Sequence, residues 1–437
     1  MRGTPGSARA LVDAAAGRIS RELFVSESIY REEQARVFAR AWLYVGHESQ
    51  IREPGDFVLS KMGEESVILM RDRERKIHVF LNTCTHRGMK VCRYDEGNTR
   101  VFTCPYHAWS FGLDGRLVGV PEFKDAYDAG FKREEWGLAE VAQLANFRGT
   151  IWATWDKEAP DFESYLGEAK FALENALAPW DGGDGETELL GTPQRWLIPS
   201  NWKFVAENFS GDVGHVVSHR SVDLAGIGPG ADKEGRRDDP GQLLLSIYPG
   251  GLGITFGYRA SVTPRNDYAQ SAITAAYYRE CFEQRRTRQG EHAGLVPIVG
   301  TIFPNMSFHG QQPRTIIVAH PRGPMQTELW RVYFVDKSAP AEVKRFLRDY
   351  YIRYSGPAGL TEQDDMENWN YATAASEGEM ARRMPYNYMA GLGAGGRHRL
   401  APGITTEHPI SSEQNPRGLY KRWAEYMDAA SWAAIPR

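Results

Sequence analysis

Cys84-Thr85-His86-Arg87-Gly88 is answered downstream by Cys104-Pro105-Tyr106-His107-Ala108-Trp109. The pattern is Cys-x-His, then Cys-x-x-His. Each half offers one thiolate and one imidazole. Two soft thiolates suit one iron of a [2Fe–2S] cluster, and two neutral imidazoles suit the other; exchanging thiolates for neutral ligands raises the cluster's potential. The rival reading is a structural zinc site. Tetrahedral zinc of the Cys2His2 type usually pairs Cys with Cys and His with His. Here each half mixes the two, which favours the cluster. The bland reading, two buried cysteines beside two incidental histidines, leaves the paired spacing unexplained.

The two halves resemble the Rieske signature, down to Arg87-Gly88 in the first and Pro105-Tyr106-His107-Ala108-Trp109 in the second. That resemblance puts both halves on loops at hairpin tips, and Gly88 and Pro105 suit such turns. The flanking sequence reads as short strands broken by turns: 57–61, 66–71, 77–81, 100–103 and 149–155. A small antiparallel β domain carrying both loops is expected. His78, inside a strand pattern, and His47, before the strands, read as structural or surface histidines.

The chain has 437 residues, enough for two or three domains. Its 52 basic and 56 acidic residues nearly balance, which argues for neither a nucleic-acid footprint nor a membrane surface. Four cysteines in so long a chain make no disulfide framework. Cys92 and Cys281 read as buried thiols. Residues 1–10 show no export signal. No run approaches the roughly 18 apolar residues that span a bilayer. The best candidate, 243–258, is broken by Pro249, Gly250, Gly251 and Gly253. A cytoplasmic protein is expected, whose reducing surroundings suit a labile iron–sulfur centre.

Residues 8–41 carry helical periodicity, and 160–185 reads as a linker and helix with a Gly/Asp-rich end. From near Thr187 the chain mixes strands (243–248, 314–319, 328–335) with helices (269–290, 341–354, 362–383). Strands cluster and helices follow without regular alternation, an α+β pattern.

A second constellation lies in Glu207-Asn208-Phe209-Ser210-Gly211-Asp212-Val213-Gly214-His215-Val216-Val217-Ser218-His219. If this is helix, Asn208, Asp212, His215 and His219 share one face. Two imidazoles and a carboxylate form the facial triad of non-haem Fe(II) oxygenases, which leaves metal positions open. The third ligand must come from elsewhere. An acid cluster, Glu362-Gln363-Asp364-Asp365, opens a later helix, where acids are also favoured by the helix dipole alone.

Taken together, the chain resembles the large (α) subunit of the Rieske non-haem iron aromatic-ring-hydroxylating oxygenases. The resemblance runs from Arg21-Glu22-Leu23-Phe24 through the two loops, Asn201-Trp202-Lys203 and Glu207-Asn208. It continues to Thr301-Ile302-Phe303-Pro304-Asn305 and Gly356-Pro357-Ala358-Gly359 with Asp364-Asp365. It implies a Rieske cluster on Cys84, His86, Cys104 and His107, and a mononuclear Fe(II) on His215, His219 and Asp365, with Asp365 favoured over Asp364. It implies catalytic roles for Asp212 and Asn208. One departure stands out: three residues separate His215 from His219, where many relatives have four or five. The implied fold is α+β, a small antiparallel β Rieske domain plus a larger catalytic domain with an antiparallel sheet covered by helices in a helix-grip arrangement. The expected division is 1–41, a helical segment packing with the catalytic domain; 42–157, the Rieske domain; and 158–437, the catalytic domain.

The resemblance further implies electrons from NAD(P)H, delivered by a reductase partner, often through a ferredoxin, to activate O2 beside a bound aromatic. The product is a cis-dihydrodiol or a phenol. No nicotinamide- or flavin-binding glycine motif occurs here, so reducing power comes from a partner protein. Pocket candidates are Phe209, Val213, Val216, Phe308, His309 and Ser355. His309 and Arg314 are candidates to meet a substrate carboxylate or phenol, or are structural. Relatives assemble as a head-to-tail trimer, so an α3 or α3β3 core with a small β subunit is expected. Asp212 would bridge His215 and the neighbouring subunit's His107. Two alternatives remain at this point: a Rieske monooxygenase or demethylase acting on a substrate such as an aromatic acid, and an electron-transfer protein without mononuclear iron.

Overall fold

The run Val67-Ile68-Leu69-Met70 has no polar residue, and each of its side chains is fully buried, so this strand is covered on both faces. It is central in an antiparallel four-stranded sheet ordered Ile77–Leu81, Glu65–Arg71, Asp56–Met62, Glu96–Asn98. Two three-stranded sheets complete this unit. One runs Leu117–Gly119, Ser110–Phe111, Phe102–Thr103; the other Gln143–Phe147, Thr150–Thr154, Leu43–His47. The expected strand over 100–103 shortens to Phe102–Thr103. The computed structural model describes residues 8–127, 130–212, 214–227, 242–258, 270–311, 313–407 and 412–436. Two compact units emerge: Phe38–Ala159, and Met1–Val37 joined with Pro160–Arg437.

The larger unit is built on a nine-stranded sheet. Its order is Thr187–Leu189, Gln326–Asp336, Thr315–Gly323, Met306–His309, Leu295–Ile302, Leu252–Tyr258, Gln242–Tyr248, Ile404–Glu407, with Gln194–Ile198 also pairing the long Gln326–Asp336 strand. Every pairing is antiparallel. The site helix (Trp202–Gly211) packs against these strands, and the C-terminal helix (Gln414–Asp428) packs on it. The helix Ala341–Tyr354 buries Val343, Leu347, Tyr350, Tyr351 and Tyr354 at helical spacing. The expected helix over 362–383 is two pieces. The acid helix spans Leu360–Ala375, and Glu379–Arg382 resumes after Gly378.

The helical reading of 8–41 holds over Glu22–Val25, Glu27–Glu33 and the wider helical turn Gln34–Phe38 that follows directly. It is corrected ahead of them, where the chain forms a short turn at Ala8–Ala10 and a two-residue strand pair, Val12–Asp13 with Arg18–Ile19. Gly17 turns the strand pair at φ +66°, and Ser26 interrupts the helices and caps the second through the Ile29 N–H.

One buried charge ties this segment to the site helix. Glu33 is fully buried and accepts from Lys203 Nζ at 2.6 Å, Trp423 Nε1 at 2.7 Å and Trp202 Nε1 at 2.9 Å. Burial lowers the Lys203 pKa, and Glu33 opposes that pull. A buried pair survives only when its remaining polar groups are also satisfied, which the two indoles accomplish. No helix among the described residues is long and apolar enough to cross a membrane.

Candidate metal centres

The two ligand loops of the small unit are copies of one backbone device. The Cys84 N–H donates to Met89 O at 2.8 Å, and the Gly88 N–H to Cys84 O at 2.9 Å. Likewise the Cys104 N–H donates to Trp109 O at 2.8 Å, and the Ala108 N–H to Cys104 O at 3.0 Å. The equivalent residues Gly88 and Ala108 take φ of +72° and +56°. Glycine adopts that conformation freely; alanine does so at some strain, and here the surrounding hydrogen bonds hold it.

Both sulfurs are buried, and both imidazoles lie nearer the surface. Burial raises the Cys84 pKa, and the Cys104 thiol beside it adds to the rise. The His86 and His107 rings are 4.6 Å apart, and His86 stacks on Trp109 at 4.7 Å. Burial, then the neighbouring His107 and Arg87, lowers the His86 pKa, so the ring is held in the neutral form a metal ligand needs. Its Nδ1 is buried with no hydrogen-bond partner. Two thiols, two imidazoles and an orphaned ring nitrogen fit a Rieske cluster in residue type and placement. The other histidines of this unit are structural: His78 pairs with Glu140 at 2.7 Å and Asp72 at 2.9 Å, and His47 caps a turn through the Ser49 N–H. Cys92 is buried, and the Asn82 side chain bonds both its N–H and its C=O.

In the larger unit the expected continuous helix over 207–219 is corrected. The site helix stops at Gly211, whose φ is +148° and where a Cβ would meet Asn415 Nδ2 at 2.6 Å. Asp212 follows, the chain turns, and Val216–His219 form one 3-10 turn. This break brings His215 and His219 to one point. Their rings are 5.1 Å apart, and each Nε2 lies 3.3 Å from Asp365 Oδ1 on the acid helix. One ligand atom from each of the three lies within 4.8 Å of the others.

Behind each imidazole stands a second acid. His215 Nδ1 is 3.4 Å from Asp212 Oδ2, and His219 Nδ1 is 3.4 Å from Asp364 Oδ2. The Ser221 hydroxyl donates to Asp364, holding it in place. Thus Asp365 lies with the two Nε2 atoms, and Asp364 stands behind His219. Burial works against charging His215, but Asp212 and Asp365 outweigh it and raise the imidazole to about 10. In return, although burial pushes the other way, Asp212 is held below its ordinary value by His215 and the Gly214 N–H. Asp365 Oδ1 is buried without an aligned hydrogen bond. Two imidazoles aimed at an orphaned carboxylate oxygen fit a two-His-one-carboxylate iron site.

The remaining sequence candidates separate. Phe209 is buried on the site helix with its ring 5.2 Å from His309 and 6.3 Å from Trp369. Ser355 is buried at the end of the Ala341–Tyr354 helix, and its hydroxyl has no partner. Asn208 is half-buried, its C=O accepting the Asp212 N–H. Val216 is 50% exposed. Val213 falls outside the described residues. Phe308 is corrected: its strand neighbours Ser307 and His309 face the site helix, Ser307 through Thr301 and Ala206 O. Strand alternation turns Phe308 to the opposite face, onto Gly300. Arg314 is structural, bonded to Asp336 at 2.6 Å and to the carbonyls of Ala176 and Ala178.

Sequence reasoning missed the partners of Glu207. The Tyr388 hydroxyl donates to its Oε2 at 2.7 Å, and the Tyr420 hydroxyl donates to the same atom. No local pattern pairs residues that distant.

Residues 41–142 match the Rieske [2Fe–2S] domain, and residues 162–429 match the ring-hydroxylating alpha subunit catalytic domain. The chain is 37% identical to the biphenyl dioxygenase alpha subunit of Paraburkholderia xenovorans, over 99% of this chain and 95% of that one. It is 36% identical to a benzene 1,2-dioxygenase alpha subunit of Pseudomonas putida, over 98% and 94%. The solved structure of naphthalene 1,2-dioxygenase with indole bound superposes with a TM-score of 0.88 at 30% identity, covering 97% and 95% of the two chains. The chain therefore belongs to the ring-hydroxylating oxygenase alpha subunits, with a Rieske [2Fe–2S] domain ahead of its catalytic domain.

Proposed function

We propose that this chain is the oxygenase subunit that cis-dihydroxylates an aromatic hydrocarbon, with residues 42–157 as the electron-receiving domain, 158–437 as the catalytic one, and 1–41 packed with the latter. The observation that carries this reading is the convergence of His215 and His219 Nε2 on Asp365 Oδ1, each ring backed by its own acid. When bound, the cluster on Cys84, His86, Cys104 and His107 supplies single electrons, and the iron on His215, His219 and Asp365 activates dioxygen beside the ring.

The rest falls to the protein. Asp212 and Asp364, standing behind the rings, favour the proton at each Nδ1, which leaves Nε2 as the ligating atom. Phe209, with His309 beside it, offers an aromatic wall for a flat ring and excludes water from it. The Arg314 guanidinium is engaged with Asp336, so it does not select a carboxylate; this supports a hydrocarbon, as do the biphenyl and benzene dioxygenase relatives. Asn208 lies one turn ahead of Asp212, whose N–H its C=O accepts.

The finer assembly is also proposed. A reductase, directly or through a ferredoxin, reduces the cluster from NAD(P)H in the cytoplasm. Three copies form a head-to-tail ring, alone or with a small β subunit. Asp212, side chain 43% exposed, then bridges His215 to the partner subunit's His107. Asp212→Ala tests this. The variant is expected to load about three irons per chain and reduce its cluster normally, yet to form almost no product. Normal turnover in Asp212→Ala, or a fully active monomer by analytical ultracentrifugation, overturns the bridge. About two irons per chain in the wild type overturns the oxygenase reading itself.

A further inference from the structure

The mechanism leaves one buried acidic cluster unused. Glu207 sits on the site helix five residues before Asp212, about 7.5 Å along the axis. Its Oε2 accepts from two phenols, Tyr388 and Tyr420, whose residues are 6% and 0% exposed. The two rings are 5.5 Å apart. Tyr386 follows at 6.4 Å from Tyr388; it is partly exposed, its hydroxyl meets Ser376, and the Arg21 guanidinium lies over its ring at 4.3 Å. A continuous ladder of oxidisable rings thus runs from the site helix to the surface.

A phenol buried in protein gives up an electron readily only if its proton leaves with it. That requires a base already hydrogen-bonded to the hydroxyl, and here one carboxylate oxygen serves two phenols. Tyr386 has hydroxyl and carbonyl neighbours but no carboxylate on its oxygen. The ladder therefore has a defined resting place for an oxidising equivalent: the pair on Glu207.

We propose that Glu207, Tyr388 and Tyr420 form a proton-coupled redox relay that draws a stray oxidising equivalent away from the oxygen-activating site. This rests on the oxygenase reading above. When oxygen is activated and no ring takes it, a one-electron oxidant of peroxide origin remains. Tyr388 or Tyr420 gives that oxidant one electron, the O–H bond breaks, and the proton moves to Glu207 Oε2, leaving a neutral tyrosyl radical. One electron from a one-electron donor and the proton held by Glu207 restore the phenol.

The groups facing Glu207 are the two phenols, Tyr386 beyond them, Asp212, and Glu413, which Arg417 partly offsets. Burial first, against the two phenolic hydrogen bonds, raises the carboxyl to about 8. At pH 8 about half of the molecules hold it as the free base, and a base of that strength is better matched to a phenolic proton than an ordinary carboxylate.

The rival role is a clamp joining the site helix to the C-terminal helix. Glu207→Gln separates the two, because its amide oxygen still accepts a phenolic hydrogen bond but cannot take the proton. The test has two arms, at pH 8 with the cluster fully oxidised. In the first, a flash-generated ruthenium(III) polypyridyl oxidant enters through Tyr386, with no need for the mononuclear iron. In the second, the iron-loaded protein receives hydrogen peroxide without an aromatic substrate. The wild type is expected to give a tyrosyl paramagnetic signal that narrows with ring-deuterated tyrosine. Tyr388→Phe/Tyr420→Phe is expected to lose it, and Glu207→Gln to reduce its yield by about tenfold or more while thermal unfolding stays cooperative. The double variant is also expected to inactivate several-fold faster per O2 consumed in substrate-free turnover. An undiminished signal in Glu207→Gln or in the double variant, or no tyrosyl signal in the wild type by flash oxidation, overturns the relay. Missing mononuclear iron alone overturns the oxygenase reading and leaves the flash arm to decide the relay.

Discussion

The two metal centres are built by opposite strategies. The cluster site is two short loops with the same hydrogen bonds, Cys84 to Met89 and Cys104 to Trp109, each complete within six residues. The mononuclear site has no such local unit. His215 and His219 come from a broken helix end, and Asp365 from a helix far along the chain, where the adjacent Asp364 is 145 residues from His219, with Asp212 and Asp364 behind the rings. A local site is fixed by its own backbone. A distributed site is fixed by whatever positions its helices, and its supporting acids become as important as its ligands.

The sharpest break of this comparison is at the ligands. Cys84→Ser is expected to lose the cluster entirely, seen as loss of visible absorbance and of the Rieske paramagnetic signal, because an alkoxide is a poor substitute for a thiolate. About one iron per chain should remain at the distributed site. Retention of a full Rieske signal would sink the ligand assignment.

A smaller effect sharpens the distributed side. Asp365→Ala is expected to abolish mononuclear iron and turnover. Asp364→Asn should lower iron affinity by about 10- to 100-fold and leave the site rescuable by added Fe(II), since it alters only the hydrogen bond behind His219. The cluster signal should be untouched in both. A dead Asp364→Asn beside an active Asp365→Ala would shift the ligand by one residue.

The smallest effect is on stability. Burial raises the Glu207 carboxyl from its ordinary 4.5 to about 8. The folded state therefore holds that proton more tightly than the unfolded chain. Its contribution to stability is complete below about pH 4.5 and is lost as pH rises toward 8. Glu207→Gln should flatten that part of the curve. The wild-type loss attributable to this group is on the order of a few kcal/mol at most. Urea midpoints at pH 5 and pH 8 measure it, and an unchanged slope in Glu207→Gln would refute the shift.

Local chemistry was what the sequence could display. Cys84, His86, Cys104 and His107 announce their site because spacing alone encodes a two-loop cradle. The strands around them are equally plain: Ile77–Leu81 is found at the residues its pattern predicts. His215, His219 and Asp365 were legible only by family resemblance. The helical reading joined the two histidines for the wrong reason, since Gly211 breaks the helix against Asn415, which also donates to the Ser210 carbonyl 205 residues back in sequence. Phe308 was misplaced because a neighbour in sequence is not a neighbour in space when side chains alternate across a strand. Arg314 looked available because its partner, Asp336, lies on another strand. The Glu207 phenols, 181 and 213 residues downstream, left no trace in any window.

The Glu33 contact also sets an order of events at the ribosome. Its lysine is 170 residues further on, and its second indole, Trp423, is 390 residues further on. At roughly 5–20 residues per second, that is on the order of half a minute of synthesis during which the acid cannot be fully enclosed. The cluster unit, Phe38–Ala159, has emerged whole well before then. Its two cradles can acquire iron and sulfide while the larger unit is still being translated, so the electron store can be assembled before the C-terminal helix packs on the site helix. The nascent chain therefore acquires a means of handling electrons before it acquires a finished place to use them.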